Sequence, residues 1–129
     1  MSLHQDQGED EAIRLDVPAL GPYARVSRLA ITGLASRSGC TYDEVEDVRI
    51  AVGEVFGLLV QPAAPTGRIR FICRVRDDEL EISAERVPPA PIPSVTDLSR
   101  QILDAVTDES TIDEAGGRIT MRKHQARPS

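Results

Sequence analysis

Apolar residues recur along this chain with two different periods. Ile13, Leu15 and Val17 alternate with Arg14 and Asp16, the period of two that marks a half-buried strand. Pro18, Gly21 and Pro22 break it. From Tyr23 to Ser36 the positions Val26, Leu29, Ala30, Gly33 and Leu34 fall at helical spacing. The spacing predicts a helix with that stripe inward and with Arg25 and Arg28 outside, ended by Gly39. Thr41 with Glu44 three residues on reads as a capping box. It opens a second helix with the stripe Val45, Val48, Val52, Val55 and Leu59, closed by Pro62 and Pro65.

The second half returns to the shorter period. Ile69, Phe71, Cys73 and Val75 alternate through Arg68–Arg76, and Asp77-Asp78 predicts a hairpin turn into a strand over Leu80–Ala84. Four prolines within Arg86–Ser94 exclude helix and central strand there. Asp97 is the expected cap of a helix running to Val106, with Leu98, Ile102, Leu103 and Val106 inside. Ser110–Asp113 and Arg118–Lys123 read as two last strands around a turn at Ala115-Gly116-Gly117. This order predicts one domain over residues 12–123, a two-layer α+β sandwich with an antiparallel or mixed sheet and helices on one face. An acidic lead-in, residues 1–11, is expected to be disordered and a tail, residues 124–129, flexible.

Composition narrows the class. The chain has 129 residues, 40% hydrophobic and 28% charged, as in a soluble globular domain. With aromatics at 3% and no Trp, the core must be built from aliphatic side chains. A net charge of -6 speaks against nucleic acid, whose phosphates call for a basic patch. Lys123 is the only lysine, a bias we read as that of a GC-rich bacterial gene. Cys40 and Cys73 stand far apart without a C-x-x-C, which points to neither zinc nor a disulfide framework. No stretch resembles a signal peptide or a membrane span, so a cytoplasmic protein is expected.

The candidate chemistry centres on Ile50–Val60, where the second helix turns apolar nearly all round and carries one carboxylate, Glu54. A charge in such surroundings must find a partner, take up a proton or face a cavity. Glu54 is therefore either a base at the floor of a pocket or a residue held by an arginine or at the helix rim. Gly53 and Gly57 lie one turn apart, each costing about 1 kcal/mol relative to Ala in a helix; close packing of helix on sheet is the expected reason. His4 and His124 fall in the lead-in and the tail, and neither reads as a base or ligand. Asp77, Asp78 and Glu79 read as a turn, and Asp108, Glu109, Asp113 and Glu114 as a solvated edge.

Glu46-Asp47-Val48-Arg49-Ile50-Ala51-Val52-Gly53-Glu54 resembles the second-helix motif of anti-sigma-factor serine kinases, members of the histidine-kinase-like ATPase superfamily that act in bacterial partner switching. Tyr23-Ala24-Arg25-Val26 resembles that family's first-helix segment. Leu103–Asp108, a strand, Gly116-Gly117 and a final strand resemble its last third. The resemblance implies a Bergerat-type fold, Glu54 as the residue that activates the attacking group, and a first helix that forms much of the homodimer and partner surface. Tyr23, Arg25 and Arg28 are then the partner-binding candidates.

The departures from the family pattern are as informative. Leu58 stands where the family has the asparagine that holds Mg²⁺ with ATP, and an aliphatic side chain cannot ligate a hard cation. Ser83-Ala84-Glu85-Arg86-Val87-Pro88-Pro89 replaces the adenine-reading D-x-G-x-G, and Val95-Thr96-Asp97-Leu98 replaces the second glycine motif. Three of four expected devices are gone, and only Glu54 survives. The expected function is a regulator that binds a sigma factor or an anti-anti-sigma protein, homodimeric, with no cofactor, metal, nucleic acid or membrane. The alternatives are a divergent serine kinase that still uses ATP and Mg²⁺, and a scaffold or dimerisation module.

Overall fold

The structure is a computed structural model, and it describes residues 12–61 and 66–125. The expected disordered lead-in, Pro62 and Pro65, and the last four residues of the expected tail lie outside the described residues. Eight elements follow one another: β1 (Ala12–Pro18), α1 (Tyr23–Arg37), α2 (Tyr42–Leu59), β2 (Arg68–Arg76), β3 (Glu79–Val87), α3 (Asp97–Val106), β4 (Glu109–Asp113) and β5 (Arg118–His124). The five strands form one sheet in the order β1-β2-β3-β5-β4. Every neighbouring pair is antiparallel, which decides between the antiparallel and mixed sheets that the sequence allows.

The register explains why the sheet has two unlike faces. Leu15, Phe71, Ala84, Ile119 and Ile112 stand in one row across all five strands. A neighbouring row sets Cys73, Ile82 and Met121 side by side. These residues face the helices and are buried, with Leu15 and Ile112 half-buried at the edges. The next row out of phase reads Asp16, Arg70, Glu85, Arg118, Asp113. It alternates in charge, and ion pairs join Arg70 to Asp16 and to Glu85, and Glu85 to Arg118. Arg74, Glu81, Arg122 and Glu109 repeat the device two rows further on, past the uncharged Ile72, Ser83 and Thr120. The open face is thus a lattice of cross-strand charge pairs, and a one-residue slip would bury it.

Over the inner face lies α2, with Val48, Ala51, Val52, Val55, Phe56 and Leu59 buried. Its first turn is closed by the expected capping box: Thr41 Oγ1 accepts from the Glu44 amide, and Glu44 accepts from the Thr41 amide. Lys123 holds β5 to α2 by an ion pair of 2.8 Å to Asp47. Beside α2 lie α1, which also touches β1, and α3, which also touches β4.

Several expectations are corrected. The buried face of α1 is Ser27, Ile31, Thr32 and Ala35; Val26, Leu29, Ala30 and Gly33, expected inside, are exposed. Ile13, expected inside β1, is also exposed, because β1 is an edge strand. Leu98 is 64% exposed and the cap of α3 is Thr96, one residue before Asp97. Strand β3 runs on through Arg86 and Val87, so the proline loop starts later than expected. His124 belongs to β5, and Gln125 is buried, its side chain donating to Ser38 and Cys40.

Candidate functional site

Glu54 sits on the flank of α2 that faces α3, half-buried, and its Oε2 accepts a hydrogen bond of 2.6 Å from Ser99 Oγ. The carboxylate has thus found a hydroxyl rather than the arginine or open pocket that its surroundings suggest. Ser99 is buried, and its own amide donates to the capping oxygen of Thr96. Thr96 Oγ1 also lies 3.2 Å from Ser99 Oγ. The loop that ends β3, the cap of α3 and the middle of α2 therefore meet at Glu54. Pattern reading missed Ser99, because a serine beside an apolar Leu98 looks like the solvent side. The signal available was Thr96 three residues ahead of it, the spacing of a cap and the amide it takes.

The glycines beside Glu54 do not mark a close approach of helix to sheet. A Cβ on Gly57 would meet nothing within 4 Å, and one on Gly53 would touch only the Arg28 side chain, at 3.5 Å. This overturns the expected packing reason for both. Arg28, half-buried, lies across α2 at Gly53, whereas Arg25 is fully on the solvent side of α1.

Leu58 is 5% exposed and belongs to the core. Ile92, in the proline loop, is buried too, and its amide donates to the Glu114 carbonyl. Arg86, 5% exposed, points inward from the end of β3 and donates from Nη1 to the Gln61 carbonyl at the end of α2. The Arg86 side chain thus spans the ground between the end of β3 and the end of α2. Among the described residues no three His, Cys, Asp or Glu side chains converge as a metal site. An apolar crevice lined by Val48, Ala51, Ile82, Val106 and Met121 opens elsewhere, between α2 and the end of α3. Burial pushes the Cys73 thiol up to about 12 and, with less effect, raises that of Cys40; both are free.

The sequence candidates Tyr23, Arg25 and Arg28 all lie on α1. Tyr23 and Arg25 are exposed, and with Leu20, Val26 and Leu29 they make a mixed apolar and cationic surface. Glu54 belongs to a different group, with Ser99 and Thr96, although Arg28 reaches Gly53 beside it.

No protein-family model matches the chain. It is 37% identical over 76 residues to the serine-protein kinase RsbW of Bacillus cereus strain B4264, which covers 57% of this chain and 48% of that protein. To the RsbW of Bacillus mycoides strain KBAB4 it is 36% identical over 74 residues, 56% of this chain and 46% of that one. The chain thus spans about half the length of the curated relatives it matches. A crystal structure of the RsbU and RsbW domains of Rv1364c from Mycobacterium tuberculosis superposes with a TM-score of 0.70 at 17% identity, over 92% of this chain and 34% of that one. The chain is thus similar over part of its length to serine-protein kinases named RsbW, and its fold is the histidine-kinase-like ATPase fold.

Proposed function

We propose that the chain is an anti-sigma-type regulator that acts by holding a protein partner, a sigma factor or an anti-anti-sigma protein, and that it does so without ATP. The observation that carries this reading is the solvent side of α1. Leu20, Tyr23, Val26 and Leu29 are large apolar side chains left uncovered on or beside one helix, Leu29 at 63%, and Arg25 stands among them. Monomeric proteins rarely leave such groups clustered, and Tyr and Arg dominate interface energies. A second copy of the chain and a heterologous partner both suit this surface, and we assign it to the two together, as a homodimer that binds its partner along α1. The cytoplasm is the compartment in which such partners act.

Independence from ATP rests on Leu58 and Arg86. A buried aliphatic side chain on α2 and an arginine that is bonded to the chain itself occupy the end of that helix. A hard cation has no oxygen to replace its water at Leu58. Calorimetric titration with Mg-ATP is the test, and no binding heat is expected up to millimolar nucleotide. A micromolar Kd, or transfer of phosphate to a serine of the partner, would establish instead the second reading, a divergent serine kinase. Glu54 is the observation in favour of that reading, as is the name of the relatives.

A further inference from the structure

We propose that the Glu54–Ser99 hydrogen bond is a latch that sets whether the first turn of α3 is docked on α2 or open. The helix has ten residues, and its buried side chains are Ser99, Leu103 and Val106. The two apolar anchors both lie in its second half. Across the first turn Asp97, Leu98 and Arg100 are exposed, and Ser99 alone is buried. Upstream, the chain is next held at Val95, half-buried against the core, and then at Ile92, by its buried side chain and its amide bond to Glu114. Between Val95 and Ile102 little apolar surface is removed from water, Leu98 being 64% exposed, so the docking of the first turn depends on the polar contact.

That contact has the geometry of a strong one. At 2.6 Å it falls in the range of a hydroxyl donating to a carboxylate, a bond roughly twice as strong as a neutral one. Thr96 Oγ1 holds the Ser99 amide at 3.1 Å and lies beside its hydroxyl, which aims the hydroxyl at α2. When the turn opens, water can satisfy both the carboxylate and the hydroxyl. The open state therefore costs far less than unfolding, the condition for a local opening. Opening bares Glu54 and the flank of α2 against which the turn lies, so the latch controls access to that flank. The inference needs only these side chains and holds whether or not nucleotide binds.

Amide hydrogen exchange on the full chain, read by mass spectrometry, tests it. Ser99→Ala removes the donor and keeps the amide that Thr96 caps, and Glu54→Leu removes the acceptor. Each is expected to speed exchange across residues 97–101 at least tenfold, with the amides of β2 and β3 unchanged. The double variant is expected to exchange no faster than either single one, because all three lack the same bond. Exchange in α3 that moves only in step with the sheet would overturn the latch, as would effects of the two substitutions that multiply in the double variant.

Discussion

Asp16 on β1 accepts a hydrogen bond from the Arg68 guanidinium on β2, and this bond, reinforced by Arg70, holds the Asp16 carboxyl below its ordinary value. A carboxyl with a lowered value in the folded state stabilises the fold above its unfolded value of about 3.9 and ceases to do so as the pH falls through the folded one. The edge strand β1 should therefore loosen first in acid. Asp16→Asn is expected to leave stability at pH 7 lower by at most about 1 kcal/mol, since the pair is half-exposed. It should also flatten the loss of stability between pH 4 and pH 2. Urea melts across that range read both effects.

Gly57 lies within α2 where an added Cβ meets nothing. Gly57→Ala is expected to raise stability by about 0.5–1 kcal/mol, from helix propensity and from the smaller entropy of the unfolded chain. Gly33→Ala in α1 meets the same open space and should add a similar amount. Thermal melts give the sign directly. An unchanged or lowered Tm would show that the backbone at these positions is not the ordinary helix described here.

The strands and the second helix were legible in the sequence because their buried positions are apolar and strictly periodic. Ile69, Phe71 and Cys73 are inside as expected, and Thr41 with Glu44 marked the start of α2. The face of α1 was not legible, because hydroxyls took the place of methyl groups. Ser27 Oγ donates to the Tyr23 carbonyl and Thr32 Oγ1 to the Arg28 carbonyl, at 2.9 and 2.6 Å. A hydroxyl satisfied by its own helix can be buried, and the stripe Val26, Leu29, Ala30 is then turned outward. The same exchange puts Ser99 inside and Leu98 outside on α3. Of the candidate site, Glu54 was legible as a carboxylate out of place, but its partner was hidden by this third buried hydroxyl.

Thiol chemistry separates the two cysteines. Burial pushes Cys73 up to about 12, so the folded chain keeps it as the unreactive thiol. Its raised value means that this contribution to stability is complete below the unfolded value of about 8.5 and is lost as pH climbs toward 12. With a disulfide reagent at pH 8, the half-buried Cys40 is expected to react slowly and Cys73 only on unfolding. Two equal fast phases would contradict the burial of Cys73.

Leu58 offers a direct trial of whether the site can be rebuilt. Its side chain lies in the core with Val55 and Leu59, so Leu58→Asn removes apolar contacts and places an amide among them. A loss of about 2–4 kcal/mol is expected, with no gain of Mg-ATP binding. Stability held at the level of the parent chain, together with nucleotide binding, would show that the position faces a pocket.

The last expectation concerns the uncovered side of α1. Arg25 and Leu29 make no structural contribution that the fold needs, since one is exposed and the other 63% so. Arg25→Glu reverses a charge on this surface and Leu29→Asp removes its most exposed apolar side chain. Both variants should keep the parent's melting curve within about 0.5 kcal/mol, as surface substitutions do. Affinity for the natural partner should fall at least tenfold, about 1.4 kcal/mol, in each. Sedimentation of the same two variants asks whether the surface also joins two copies of the chain. A shared surface would lower dimerisation and partner binding together, whereas separate surfaces would let Arg25→Glu weaken the partner alone. Full affinity in both folded variants would take the interface away from α1, with the loop Pro88–Pro93 the next exposed segment to probe.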